Sequence, residues 1–257
     1  MAPELGIAEA AGWFLGAGVV FYLEASFWES LFHEFLLDLN PARRRWMFAL
    51  KRFAPSLYLE HYAHNVLHHF RTYRGAYTRQ FESEAERLAL DVAMRKHLTP
   101  RQFRRVTTHH YGASFEAPAL PYLAPALLNL LCLPLLPDVA ARAGVLAADL
   151  VFATPYWAYS KWMHLYLHRR FDAAVAEAPG WMSVWLRSDY GVAVRISHYL
   201  HHRQPTWNYN LQYGADLLRG RWRPPTAADW DDMLTIGLVT PAHRARFEGR
   251  RVWLHPF

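Results

Sequence analysis

Cysteine is almost absent from the chain: Cys132 is the only one, and it lies within an apolar run. A single cysteine excludes intrachain disulfides and thiolate-based metal or redox motifs. The N-terminal segment carries Glu4 and Glu9 but no early Lys or Arg, so it lacks the basic start of a secretory signal peptide. No zinc finger or other nucleic-acid-binding module is apparent. We therefore expect no nucleic-acid partner and interpret residues 11–23 as a retained membrane segment.

Aromatic and basic residues are abundant instead. The chain is 53% hydrophobic and 16% aromatic, and its net charge is +6. Aromatic residues concentrate at membrane–water boundaries. A mean hydropathy of −0.11 fits a few membrane spans attached to a large polar body. Basic runs at residues 43–45, 51–52 and 169–170 lie close to apolar stretches, which favours the anionic cytosolic leaflet as their partner.

Three apolar stretches predict membrane-spanning helices at about residues 11–32, 117–137 and 139–160. About 20 apolar residues cross a hydrocarbon core, and Pro137-Asp138 suits a tight hairpin between the last two spans. With this topology every histidine cluster and basic run lies on one side, which the positive-inside rule makes the cytosol. We expect one all-α membrane domain over residues 1–257, with about three spans and a cytosolic helical cap. A soluble all-α protein whose apolar runs form its core is the alternative.

Histidines are clustered in four segments, residues 33–38, 61–69, 164–168 and 198–202. His198, His201 and His202 have the spacing i, i+3 and i+4, which on a helix predicts one shared face and a common point of convergence. The same periodicity predicts that the second cluster presents one face, with one further histidine adjacent. The members of that face are His61, His64 and His68, and the adjacent residue is His69.

The number of histidines indicates two metal ions. A mononuclear site takes about three or four protein ligands, and the clusters offer eight or more imidazoles. Imidazole-rich ligation suits zinc and copper equally well, so spacing alone does not name the metal. A pair such as His164 and His168 is weak evidence by itself. The joint pattern on one membrane face is the stronger indication.

These motifs resemble those of the fatty acid hydroxylase/sterol desaturase superfamily over roughly residues 28–220. The resemblance lies in Trp28-Glu29-x3-His33, His64-x3-His68-His69, the 164–168 pair, and His198-x2-His201-His202 followed by Asn208-Tyr209-Asn210. Members of that family are integral membrane non-haem di-iron enzymes that use O2 and two electrons. The resemblance implies that the metal ligands are His33, His64, His68, His69, His164, His168, His198, His201 and His202.

Position 38 departs from the family pattern, because it holds Asp where the first motif normally ends in a second histidine. Aspartate is a competent iron ligand, so Asp38 either binds metal or only ends the helix before Asn40-Pro41. His61 is either a ligand or an orienting partner of the ligands. Carboxylates often orient metal-bound imidazoles, and the candidates by sequence are Glu29, Glu60 and Asp189.

A longer insertion than the family usually shows occupies residues 70–116. It contains His109 and His110, which are either an extra ligand pair, part of a substrate pocket or a hydrogen-bonded surface pair. Of these roles the sequence favours the hydrogen-bonded surface pair.

The resemblance implies an O2-dependent hydroxylase that acts on a C–H bond of a hydrophobic, lipid-like substrate. We expect two iron ions, which zinc can replace in purified protein, and no catalytic or cofactor-binding residues beyond the metal ligands. Nothing in the sequence resembles an electron-transfer module, so we expect a separate electron donor of the ferredoxin or cytochrome b5 type, with its reductase. Desaturation or aldehyde C–C cleavage on the same scaffold is the nearest alternative. A non-enzymatic metal-binding membrane protein is the alternative from another class.

Overall fold

The computed structural model shows an all-helical chain, without β-strands in the part that it describes, as the sequence predicts. The predicted basic run at 43–45 lies outside the described residues, and so do His109 and His110. The side chains at 119–122 and 154–161 are likewise outside the description. The described residues are 6–38, 51–73, 75–108, 111, 119–212 and 214–249.

Three apolar helices pack against one another: α1 (Ile7–Phe32), α5 (Ala119–Cys132) and α6 (Val139–Leu167). Phe21 and Phe152 face each other across α1 and α6, with ring centroids 6.3 Å apart. Gly144 allows the two backbones to approach, because a Cβ at that position would lie 2.6 Å from the Ala10 carbonyl oxygen. Small residues permit such close helix contacts where lipid, rather than water, surrounds the helices.

The same helices expose large apolar side chains. Val19 of α1 is 62% exposed, Leu131 of α5 is 75% exposed and Leu150 of α6 is 77% exposed. Exposed apolar patches of this kind mark contact with a partner or with lipid. Among the described residues one helical stretch, Ile7–Leu37, is long and apolar enough to cross a bilayer by length and composition. The predicted spans at 117–137 and 139–160 therefore stay predictions.

Two π-helical segments interrupt the α-helical structure, at His33–Leu37 (π1) and Tyr62–His69 (π2). Their hydrogen bonds run five residues back: Asp38 N–H donates to the His33 carbonyl at 2.7 Å, and Thr72 N–H donates to the Leu67 carbonyl at 2.7 Å. Segment π1 continues α1, and π2 continues the short helix α2 (Pro55–His61). Such π-turns are rare and occur often at functional sites.

The remaining helices form two groups, each with its own core. Helix α9 (Asp189–Arg203) is buried from Gly191 to His201, and its apolar side chains pack in a core with Met182, Leu186 and Trp230. Helices α3 (Glu84–Arg95) and α4 (Pro100–Thr108) pack in a separate core with Leu59 and Leu67, and Met94 is the one buried residue of α3. The helices besides α9 are α3 (Glu84–Arg95), α4 (Pro100–Thr108), α7 (Phe171–Glu177), α8 (Gly180–Arg187), α10 (Ala215–Leu218), α11 (Ala227–Thr235) and α12 (Pro241–Phe247).

Polar residues near the end of α1 anchor the segment that follows α9. The buried Glu29 carboxylate accepts the backbone N–H groups of Leu211 and Gln212 at 3.1 and 3.0 Å. Ser26 Oγ donates to the Gln212 carbonyl at 2.8 Å and accepts the Ala215 N–H at 2.9 Å. These hydrogen bonds hold the segment that follows α9 against the end of α1, where the first histidine cluster begins.

Candidate metal centre

The four histidine clusters converge in two adjacent groups of ligand atoms. Within each group the ligand atoms all lie within 4.8 Å of one another. The five-histidine group contains His68, His164, His168, His198 and His202. The Asp38 group contains Asp38, His64, His69 and His201. Both groups meet the spacing that a bound metal ion requires.

In the five-histidine group the Nε2 atoms point toward one another. His198 Nε2 lies 2.8 Å from His164 Nε2 and 3.0 Å from His168 Nε2, while His202 Nε2 lies 3.0 Å from His68 Nε2. The π2 segment supplies His68, and the ends of α6 and α9 supply the other four. Because these nitrogens belong to elements far apart in the chain, tertiary packing brings them together.

The Asp38 group surrounds one carboxylate with three imidazoles. The Asp38 oxygens lie 3.4 Å from His64 Nε2, 3.4 Å from His69 Nε2 and 3.2 Å from His201 Nε2, and the Asp38 side chain is 0% exposed. His64 Nε2 and His69 Nε2 are 3.1 Å apart. Asp38 also ends π1 as its C-cap, so its two proposed roles, ligand and helix stop, are compatible.

Backbone carbonyls determine the tautomers of several imidazoles. His168 Nδ1 donates to the Tyr77 carbonyl at 3.1 Å, His201 Nδ1 to the Trp207 carbonyl at 2.9 Å, and His33 Nδ1 to the Glu29 carbonyl at 3.2 Å. A carbonyl only accepts, so in each neutral ring the proton sits on Nδ1 and Nε2 keeps its lone pair. Metal-binding histidines commonly show this arrangement.

The resulting lone pairs fit a cation. His201 Nε2 presents its lone pair to Asp38 Oδ2 at 3.2 Å, a repulsive contact unless a positive charge lies between the two atoms. Both Asp38 oxygens are buried without a hydrogen-bond donor among the described residues. A metal ion at this point would relieve the repulsion and would lie within reach of the Nε2 atoms of His64 and His69 as well. The donor set therefore fits a divalent metal.

Burial keeps most of these imidazoles neutral. Burial, followed by the neighbouring imidazoles, holds the pKa values of His68, His198 and His202 well below the ordinary range. Burial lowers the pKa of His168 to about 3. His201 differs: burial lowers its pKa, but the Asp38 carboxylate, together with the Trp207 carbonyl and Asp216, offsets that effect and leaves the pKa raised. Neutral imidazole is the metal-binding form, so the five-histidine group needs little deprotonation before it binds.

The prediction that His198, His201 and His202 converge on one point is wrong, because His201 belongs to the Asp38 group and the other two to the five-histidine group. An α-helix rotates by about 100° per residue, so the side chains at i+3 and i+4 lie on either side of the side chain at i. Helix α9 therefore divides its ligands between the two groups.

The His64 and His68 rings lie side by side, with centroids 5.5 Å apart, but His61, His64 and His68 do not form one ligand group. His64 belongs to the Asp38 group, His68 to the five-histidine group and His61 to neither. The reason is the π register, in which residues five apart, such as His64 and His69, come onto one face. His61 Nδ1 instead donates to the Leu37 carbonyl at 2.9 Å and to the Leu36 carbonyl at 3.1 Å, which ties π2 to π1.

His33 lies beside the Asp38 group without being a member. Its ring centroid is 5.1 Å from that of His64 and 5.7 Å from that of His201. The three carboxylates predicted to orient imidazoles make other contacts: Glu29 holds the segment after α9, Glu60 pairs with Arg105 at 2.6 Å, and Asp189 pairs with Arg246. The observed orienting acceptors are the backbone carbonyls described above.

Sequence reasoning missed two tyrosines and an arginine. Tyr73 stacks on the His168 ring at 4.1 Å, and Tyr77 covers it at 4.4 Å. Arg195 is fully buried and donates to the Arg169 carbonyl at 2.6 Å and to the Tyr166 carbonyl at 2.9 Å, at the C-terminal end of α6. The tyrosines lie in the insertion, where no sequence motif identifies them. Arg195 could have been noticed as a charged residue three positions before His198.

The fold and site together define an all-helical protein with two adjacent histidine-rich groups that are compatible with a metal centre. Comparison with models of protein families, with curated proteins and with solved structures finds no match for this chain.

Proposed function

We propose that this protein is an O2-dependent non-haem di-iron oxygenase of the fatty acid hydroxylase/sterol desaturase type, which hydroxylates a C–H bond of a hydrophobic, lipid-like substrate. The observation that carries the proposal is the convergence of eight imidazoles and one carboxylate, from four separate segments, in two adjacent groups. A structural role for buried histidines does not require so many lone pairs to face one another.

The two groups are in direct contact, which supports one dimetal site rather than two independent sites. His68 and His69 are neighbours in the chain and belong to different groups. The rings of His69 and His202, also from different groups, stack with centroids 4.3 Å apart. These adjacent groups would hold two ions near each other, and such a pair would supply the two-metal chemistry that O2 reduction requires.

When bound, an iron pair supplies O2 activation and the oxidising step on the C–H bond. The residues of this chain hold and orient that pair. The Tyr77 and Trp207 carbonyls fix the Nε2 lone pairs of His168 and His201 toward the groups. Tyr73 and Tyr77 cover His168, which is 1% exposed, and so keep water from that side.

The helix bundle supports a membrane location with the metal groups facing the cytosol. Helix α1 leads directly into π1 and Asp38, and α6 ends at Leu167 with His168 as its C-cap, so both helices deliver ligands at their C-terminal ends. Arg169 and Arg170 follow at the same end, which agrees with the positive-inside rule. The exposed apolar faces of α1, α5 and α6 would then contact lipid, from which a hydrophobic substrate can enter.

The deciding experiment measures metal content and O2 consumption of the protein purified in detergent from iron-supplemented cells. We expect about two iron ions per chain and O2 consumption that depends on a reductant and on an acyl, sterol or carotenoid substrate. An added oxygen in the product mass identifies hydroxylation. Loss of two hydrogens would identify a desaturase, and a shortened product an aldehyde-cleaving enzyme. Bound metal without any O2 consumption would overturn the proposed oxygenase activity and favour the alternative, a non-enzymatic metal-binding membrane protein.

A further inference from the structure

We propose that the two metal positions are unequal: the five-histidine group holds its ion tightly, and the Asp38 group is an exchangeable position that favours zinc and copper less than the five-histidine group does and accepts iron or manganese. The inference rests on the proposed function only in that both groups bind metal. It concerns which ion leaves first, and why.

The chemistry of the donors differs between the groups. The five-histidine group offers five imidazoles, whereas the Asp38 group offers three imidazoles and one carboxylate. Carboxylate oxygen is a harder donor that suits manganese and ferrous iron, while imidazole-only sites suit zinc and copper well. The negative charge of Asp38 also stabilises the higher charge of a ferric ion. The Asp38 group is therefore the less zinc-selective of the two.

The five-histidine group stands on a rigid scaffold. Four of its ligands come from the C-terminal ends of α6 and α9. Arg195 of α9 binds the carbonyls of Tyr166 and Arg169, which joins these two helix ends to each other. The Tyr77 carbonyl holds His168 in place. Because these contacts do not involve a metal, the group is organised before an ion arrives.

The Asp38 group depends on the two π-turns. His64 and His69 are five residues apart, and their Nε2 atoms meet at 3.1 Å because π2 places them on one face. In an α-helix the same two positions point about 140° apart. Asp38 is placed in the same way, as the C-cap of π1, five residues after His33. Three of the four ligands of this group therefore require a rare backbone register.

A metal ion in the Asp38 group stabilises that register. The α-helical register is the ordinary one, so the π-turns need a compensating interaction. His61 Nδ1 bonds the Leu37 carbonyl at the end of π1, which couples the two turns. Loss of the ion removes the attraction that holds Asp38 among three imidazoles, and both turns can then relax toward α-helix. The Asp38 group thus assembles with its ion, whereas the five-histidine group keeps its four ligands from α6 and α9 even when π2 relaxes and His68 shifts.

The test is stepwise metal removal from the full-length, iron-loaded protein in detergent. With a moderate chelator we expect one equivalent per chain to leave at least about 10-fold faster than the other. Refilling with manganese alone should then give about one bound manganese per chain by electron paramagnetic resonance. Hydrogen exchange at residues 62–69 should rise when the first equivalent leaves, while exchange in α9 stays unchanged.

Asp38→Asn supplies the matched variant, because it removes the charge and keeps the shape. We expect it to retain about one equivalent and to lose manganese binding by about 100-fold, at the upper end of the loss caused by disturbing an orienting partner. Asp38→Glu, which keeps a carboxylate, should recover part of the binding and so separates ligation from misfolding. Glu34→Gln is the control, since Glu34 lies on π1 but pairs with Arg219 and Arg221.

Release of both equivalents at one rate, or two retained equivalents in Asp38→Asn, would overturn the inequality while leaving a dimetal protein. Absence of metal from the wild type under all loading conditions would overturn the proposed function as well. The two failures are therefore distinguishable from the same measurements.

Discussion

His201 and His202 are consecutive in the chain, yet their imidazoles belong to different ligand groups. His201 Nε2 lies 3.2 Å from Asp38, whereas His202 Nε2 lies 3.0 Å from His68. Helix α9 therefore contributes to both groups, with adjacent residues in different groups. If each group binds an ion, as we propose, single substitutions in α9 would remove one ion at a time.

We expect His201→Ala and His202→Ala each to lose about one metal equivalent per chain, but from different positions. His201→Ala should bind manganese poorly and keep the tightly held ion, because the Asp38 group loses one of its four ligands. His202→Ala should show the reverse. Metal analysis with electron paramagnetic resonance distinguishes the two, and His97→Ala, at an exposed position, serves as the control. Identical spectra from both variants would show that α9 does not divide its ligands.

His61→Ala should keep both metal positions and weaken one of them. His61 contacts the carbonyls of Leu36 and Leu37 and belongs to neither ligand group, so its loss loosens π1 without removing a ligand. Disturbing such an orienting contact costs about 10–100-fold in metal affinity. We expect that loss at the Asp38 group alone, measured by manganese titration. Complete loss of one equivalent would instead identify His61 as a ligand.

The α-helical parts of the site are those that the sequence predicts best. His164 and His168, and also His198 and His202, have the spacing i, i+4, and in each pair both residues join the same group. Ordinary helical periodicity is sufficient there. It fails for His64 and His69, because the π register moves the shared face from four residues to five. Hydrophobic periodicity over so short a segment does not distinguish the two registers.

Contacts across long sequence distances were beyond prediction. In the sequence, Ser26 and Glu29 are simply polar residues within an apolar stretch. In the structure they bind Asn210 and Gln212, which are more than 180 positions away in the chain. The carbonyls that fix His168 and His201 are invisible in a residue pattern because every residue has one. By contrast, the family resemblance points to a ligand motif at 33–38 and to Asp38 within it, and Asp38 does lie in one of the two groups.

Gly144→Val should destabilise the packing of α1 on α6. A Cβ at Gly144 would lie 2.6 Å from the Ala10 carbonyl oxygen and 2.7 Å from Trp13 Cβ, so the helices must separate. Overpacking of this kind costs about 1–3 kcal/mol. We expect a lower melting temperature in detergent, with Gly16→Val as the control because nothing lies within 4 Å of that position. Equal melting of the two variants would contradict the close α1–α6 contact.

The metal-free protein should become less stable as the pH falls below about 6.5. Burial lowers the pKa of His168 to about 3 and lowers those of His68, His198 and His202. The unfolded chain, with histidine pKa values of about 6.5, binds more protons between these limits, so the free energy of unfolding falls with the pH. His201, whose pKa is raised, opposes the trend but is one group against several.

Thermal melting of chelator-treated protein at about pH 7.5 and about pH 5.5 measures this effect, with a lower melting temperature expected at the acidic pH. His168→Gln removes one of the titrating groups and should reduce the difference between the two temperatures. A melting temperature that is constant or higher at acidic pH would show that these imidazoles are not buried in the metal-free fold.

Arg195→Met should both destabilise the protein and weaken metal binding at the five-histidine group. The Arg195 guanidinium binds the carbonyls of Arg169 and Tyr166, and although burial lowers its pKa to about 10 it stays charged at neutral pH. Two charge-assisted hydrogen bonds contribute about 3 kcal/mol, and their loss removes the link between α9 and the end of α6 next to His168. Arg195→Lys should recover part of this stability, and Arg203→Met, whose side chain on the same helix is 60% exposed, should change it by less than about 0.5 kcal/mol. Melting temperature and metal content together make the measurement, because a merely structural role would lower the first without selectively releasing the ion of the five-histidine group.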